Sequence, residues 1–164
     1  MKRLIVYFSL EGNTEYIADK LSDALGAGKL SLVPEKAYAD KGFAKFFWGG
    51  KSAVMAEKPA LKPYVLDDDL EEIIIGFPVW AGTITPPIRT FVSENKERMK
   101  GKRISAFACQ SGSGAEKAFE KLKSLLGTDE LCGTAIFIDP KEKPSEENEQ
   151  RLERFIEKLR ESAL

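Results

Sequence analysis

Tyr7-Phe8-Ser9-Leu10-Glu11-Gly12-Asn13-Thr14 is the stretch on which the reading of this chain turns. The apolar run Leu4-Ile5-Val6-Tyr7-Phe8 stops abruptly at hydroxyl, glycine and amide residues, and Ile17, Leu21 and Leu25 then recur at four-residue intervals. That pattern predicts a buried strand, a tight turn and a helix N-terminus in immediate succession. The unpaired N–H groups and positive dipole end of such a helix make an anion site. Gly12 lets the backbone turn closely, while Ser9, Asn13 and Thr14 bring short hydrogen-bonding side chains.

The turn is not a Walker loop, which needs Gly, four residues, then Gly-Lys-Ser/Thr. Nor is it a dinucleotide fingerprint, which needs three glycines where this turn has one. No Lys or Arg lies within it, so a bound phosphate would be held by neutral donors and the helix end. Ser-x-x-Gly-Asn-Thr directly after a first strand resembles the FMN phosphate loop of flavodoxins. The usual pattern there has Ser or Thr at the third position, where this chain has Glu11. The resemblance implies that residues Ser9, Leu10, Glu11, Gly12, Asn13 and Thr14 hold the phosphate, with Glu11 pointing outward and its N–H still usable.

Composition narrows the chemistry further. At 164 residues the chain has the length of one domain with a real core, and 43% hydrophobic with 31% charged residues is ordinary for a globular protein. A net charge of −1 gives no basic footprint for nucleic acid. No apolar stretch approaches the ~20 residues of a membrane span, and Met1-Lys2-Arg3 leads into too short an apolar run for a signal peptide. With only Cys109 and Cys132, this points to a reduced, cytoplasmic protein. Histidine is absent, which excludes Ser-His-Asp and Cys-His hydrolases and, with two cysteines, the usual zinc sites.

Along the chain, the first helix is expected over residues 13–25, ending at Gly26-Ala27-Gly28. A second strand is expected over 29–33, stopped by Pro34. Residues 35–71 form one long connection. Its aromatic cluster, Phe43, Phe46, Phe47 and Trp48, reads as a broken helix or two short ones over a sheet edge. Gly50-Lys51-Ser52 in that connection is a Walker fragment without its first glycine. Asp67-Asp68-Asp69 reads as a solvated loop in preference to a cation site. A third strand over 72–77 is hydrophobic throughout, as burial on both faces requires. Thr85 and Pro86 then suit the N-cap and first position of a helix through Ile88, Phe91 and Val92.

A fourth strand is expected over 102–109. An amphipathic helix follows, with Ala115, Ala118, Phe119, Leu122, Leu125 and Leu126 on one stripe. A fifth strand over 132–138 and a last helix burying Leu152, Phe155, Ile156 and Leu159 complete the chain. This alternation implies an α/β fold in a single domain, a parallel sheet covered on both faces. Five strands fit a flavodoxin-like three-layer α/β/α sandwich of order 2-1-3-4-5.

In that order the loops after strands one, three and four face one crevice, at the topological switch point. The second of these loops carries Pro78, Val79, Trp80, Ala81, Gly82 and Thr83. The third carries Cys109, Gln110, Ser111, Gly112 and Gly114. An anion nest, an aromatic side chain and a glycine-rich wall suit a planar, phosphorylated heterocycle. Trp80 would stack on the ring and backbone groups near Gly82 and Gln110 would bond its edges; the alternative is a tryptophan filling a core corner. Cys109 reads as structural in preference to redox-active, since it ends a buried strand and has no CxxC partner.

Strand order and the two loops at 9–14 and 78–83 look like flavodoxins, and like the broader flavodoxin-like set with a Trp after the third strand. The resemblance implies non-covalent FMN, one- or two-electron redox chemistry and no amino-acid nucleophile, with the protein tuning the flavin through groups near N1 and N5. Three functions stay open: an electron-transfer protein serving a redox partner protein, an NAD(P)H-dependent FMN or quinone reductase, and a flavin-free interaction domain. With 26 acidic against 25 basic residues, the chain lacks the acidic surface typical of a dedicated carrier. Either a monomer or a homodimer is compatible with the sequence.

Overall fold

A computed structural model describes residues 1–37 and 57–161. In chain order these form β1 (Arg3–Tyr7), α1 (Asn13–Leu25), β2 (Gly28–Ser31), β3 (Glu72–Pro78), α2 (Pro86–Met99), β4 (Arg103–Gln110), α3 (Ala115–Leu126), β5 (Thr134–Ile138) and α4 (Glu146–Glu161). The strands make one sheet of order β2-β1-β3-β4-β5, and all four pairings are parallel. Expected and observed order agree.

Strand alternation divides the core between the two faces of the sheet. Ile73, Ile75 and Phe77 of β3 pack with Ile88, Phe91 and Val92 of α2 and Ala118, Phe119 and Leu122 of α3. Ile74 points the other way, joining Ile17 and Leu21 of α1 and Leu152, Phe155 and Leu159 of α4. Ile156 is only partly buried at the margin of this second cluster. Because β3 is buried on both faces, its sequence shows no polar alternation.

Boundaries differ where a strand lies at an edge. β2 runs Gly28–Ser31, not 29–33: Leu32 N–H still reaches Tyr7 O, but Val33 is exposed and Pro34 pairs antiparallel with Leu61. β5 begins at Thr134, not at Cys132, although Cys132 N–H still donates to Ile104 O. β4 is shifted one residue later, to Arg103–Gln110, and β3 extends through Pro78. The outer edge of β5 is capped by side chains of α4. Arg151 donates to Ile136 O, and Asn148 both donates to Ile138 O and accepts from Ile138 N–H.

The aspartate run is ion-paired: Lys2 meets Asp67 at 3.0 Å and Asp69 at 2.7 Å, and Arg98 meets Asp68 at 2.6 Å. No cluster suited to a metal occurs among the described residues. No described helix is long and apolar enough to cross a membrane. The aromatic segment around Phe43–Trp48 and the Gly50-Lys51-Ser52 fragment lie outside the described residues.

Candidate functional site

β1 and β3 are neighbours whose chains leave in opposite directions along the sheet, so their carboxyl ends open a crevice. Ser9, Leu10, Glu11, Asn13 and Thr14 line it from the first loop; Pro78, Val79, Trp80 and Ala81 from the second; Cys109, Gln110 and Ser111 from the third. A fourth loop, after β5, adds Asp139.

The first loop is stapled from within. Ser9 Oγ accepts the N–H groups of Gly12 (3.2 Å) and Glu15 (3.3 Å), which leaves its own proton to donate. Gly12 is the N-cap of α1 at φ 99°, a left-handed conformation in which a side chain is strained. The N–H groups of Asn13 and Thr14, in the first turn of α1, have no acceptor among the described residues. Thr14 is 1% exposed, and its Oγ1 is buried without a hydrogen bond. A buried hydroxyl left unpaired at a helix N-terminus fits an anionic oxygen as its missing partner.

Asn13 does something else with its side chain. Its Oδ1 accepts the N–H of Lys141 at 2.9 Å and of Glu142 at 3.4 Å, tying the fourth loop to the first. That tie lays the Lys141 side chain across Gly12: a Cβ added to Gly12 would come within 2.8 Å of Lys141 Nζ. A cation therefore stands beside a loop that contains none.

The second loop is a tight turn. Trp80 and Thr83 exchange backbone hydrogen bonds of 3.3 and 3.0 Å around Ala81 (φ 51°) and Gly82 (φ 68°), as in a type I′ turn. Ala81 is one of two non-glycine residues with positive φ among the described residues; the other is Asp139. Trp80 meets Phe8 edge-on at 5.6 Å. Thr83 lies outside the lining, its hydroxyl accepting from Arg89 at 3.4 Å. Burial holds the Arg89 guanidinium below its ordinary pKa.

Glycine joins the second and third loops. Gly114, the N-cap of α3 at φ 110°, lies so close that a Cβ there would be 2.9 Å from Gly82 Cα. Gly12, Gly82, Gly112 and Gly114 shape the walls without lining the crevice, Gly112 standing exposed at the tip of its loop. Gln110 is engaged on two sides: its Oε1 caps α3 by accepting from Ala115 N–H (2.9 Å), and its backbone oxygen accepts from Asp139 N–H (3.1 Å).

Electrostatics sort the two titratable groups of the floor. Burial pushes the Cys109 thiol up to about 12, so the thiol stays protonated and unreactive near neutral pH. Burial would also raise the Asp139 carboxyl. The hydrogen bond from Ser111 (2.6 Å) and the Lys143 ammonium (3.0 Å) outweigh it and hold Asp139 below the ordinary carboxylate value. Asp139 and Lys141 escaped the sequence reading because charged residues before a helix look like an exposed connection. Only the positive φ of Asp139 and the long-range bond to Asn13 mark them.

The sequence matches the flavodoxin family over residues 2–158, and the chain belongs to that family. Among solved structures it is similar to a flavoprotein from Lactobacillus acidophilus in complex with FMN, at a TM-score of 0.73 and 18% identity, covering 94% of this chain and 97% of that one. It also resembles a flavodoxin from the domain Archaea (TM-score 0.58, 18% identity, 99% and 98% covered). A flavodoxin, WrbA-like protein from Agrobacterium tumefaciens is similar as well (TM-score 0.57, 14% identity, 98% of both chains covered). At these identities the likeness is one of fold. No curated protein matches the sequence.

Proposed function

We propose that this chain binds FMN non-covalently in the crevice and serves as a flavodoxin-type electron-transfer protein. The observation that carries the reading is the set of unpaired donors at the N-terminus of α1. The Thr14 hydroxyl and the N–H groups of Asn13 and Thr14 converge beside Ser9, facing a wall built around Trp80. When bound, FMN supplies one- and two-electron redox chemistry.

The residues around it bind and orient. Ser9 and Thr14 donate hydroxyl protons to the phosphate, and the first-turn N–H groups add the helix dipole. Trp80 covers the ring. The Gly82–Gly114 contact lets the second and third loops close on its edge without an intervening side chain. Cys109, protonated and buried, contributes packing on the floor.

A specific observation also favours an NAD(P)H-dependent FMN or quinone reductase. Acidic and basic residues nearly balance, 26 against 25, so no strong acidic field steers the chain toward a basic partner protein. Visible absorbance of the purified protein, before and after FMN and then NADPH, separates the readings. A yellow protein that dithionite bleaches and NADPH does not is the expected electron carrier. Bleaching by NADPH, with turnover on a quinone, makes it the reductase. A protein that stays colourless with FMN in excess overturns the assignment and leaves an interaction domain.

A further inference from the structure

We infer that Lys141 is the cation of the phosphate site and makes this chain select a phosphorylated flavin over its unphosphorylated form. The inference rests on the FMN reading above and adds a residue from a different loop, 128 positions from Asn13 in sequence.

Three observations carry it. First, Lys141 is held in place: its N–H is bonded to Asn13 Oδ1 at 2.9 Å, so the residue is fixed to the first turn of α1. Second, its side chain lies along the turn, with Cδ, Cε and Nζ at 3.3, 3.6 and 2.8 Å from the position a Cβ on Gly12 would take. Glycine at position 12 thus leaves room for the ammonium as well as for the turn. Third, the two lysines of this loop divide their work. Lys143 pairs with Asp139 at 3.0 Å, whereas no carboxylate pairs with Lys141 among the described residues. An unpaired ammonium beside a helix N-terminus that also holds an unbonded, buried Thr14 hydroxyl awaits an anion.

The charge balance of the loop agrees. A phosphate would bring a dianion to a loop whose own residues 7–14 include no Lys or Arg. Lys141 brings a positive charge to the first loop, beside Gly12. Asn13 is then a positioning residue, its amide oxygen fixing where the ammonium stands. Lys141 is exposed, so its attraction is screened by salt, on the scale of the ~8–10 Å Debye length near physiological ionic strength.

The test compares FMN and riboflavin, titrated against the full chain by quenching of flavin fluorescence at low and high salt. Lys141→Met is expected to weaken FMN binding about tenfold at low salt, as loss of one charge-assisted contact does, and less at high salt. Riboflavin affinity should not change, and Lys141→Arg should keep the preference for FMN. An unchanged FMN affinity in Lys141→Met at low salt overturns the role of Lys141 while leaving the flavin site standing. Equal losses for both flavins overturn it too, by showing a structural effect on the loop. If the unaltered chain binds neither flavin, the FMN reading falls and this inference with it.

Discussion

At the amino ends of the strands, Glu72 is fully buried and answered on every side. Arg3 closes on it at 2.6 Å, Ser105 donates to it at 3.3 Å and Arg103 stands 3.9 Å away. At the carboxyl ends of the same sheet, Thr14 is as deeply buried, yet its hydroxyl and the N–H groups beside it have no partner. Both regions carry buried polarity, and the balance differs. The Glu72 carboxylate is hydrogen-bonded, with only Arg103 Nε left without a hydrogen bond beside it, whereas at the other end a hydroxyl and two N–H groups are left together. Leaving buried donors unpaired is costly, so three of them converging at the carboxyl end of the sheet make that end the candidate place for a ligand.

The contrast can be broken first at the amino end. Glu72→Gln leaves two arginines facing each other around a neutral amide. Chemical denaturation should show a loss of about 3–5 kcal/mol, the scale of stranding a buried charge, with flavin affinity of the folded protein unchanged. A loss below 1 kcal/mol would mean that water reaches Glu72. At the carboxyl end the order reverses. Trp80→Ala should weaken FMN binding by about 1–3 kcal/mol with little change in unfolding midpoint, and an unaltered dissociation constant would remove Trp80 from the site. Gly114→Ala falls between the regions. A side chain at φ 110° facing Gly82 Cα at 2.9 Å should cost about 1–2 kcal/mol of stability and also loosen flavin binding, because the second and third loops part together. Ala81→Gly has the smallest expected effect: relief of a positive φ should stabilise the chain by about 0.5–1 kcal/mol, read as a raised melting temperature.

How much of this was legible follows from where each residue sits. β3 announces itself because Ile73, Ile74 and Ile75 are each 0% exposed and no polar residue interrupts them. The ends of α1 coincide with the expectation of 13–25, since Gly12 and Gly26 both take left-handed conformations that punctuate a helix. The three crevice loops were legible because glycine, tryptophan and hydroxyl residues at strand ends are unusual in a core. β2 was blurred, as an edge strand with mostly exposed side chains has no burial pattern to extend. Asn13 was read as a cofactor-binding residue, and nothing local shows that its side-chain oxygen also accepts from Lys141 and Glu142 of the fourth loop. The fourth loop was missed for the same reason: its place in the site is set by a hydrogen bond across the fold, not by any spacing within the chain.

The capping of β5 by Asn148 and Arg151 bears on association between copies. A bare edge strand offers its backbone as a template for another chain, the route to continuous sheets and to aggregates. Here the outward carbonyls of Ile136 and Ile138 and the N–H of Ile138 already hold side chains of α4, so a neighbour would have to displace them to pair along that stretch of the rim. The β5 side of the sheet is thereby guarded by side chains, and strand-to-strand association there would first have to dislodge Asn148 and Arg151 of α4.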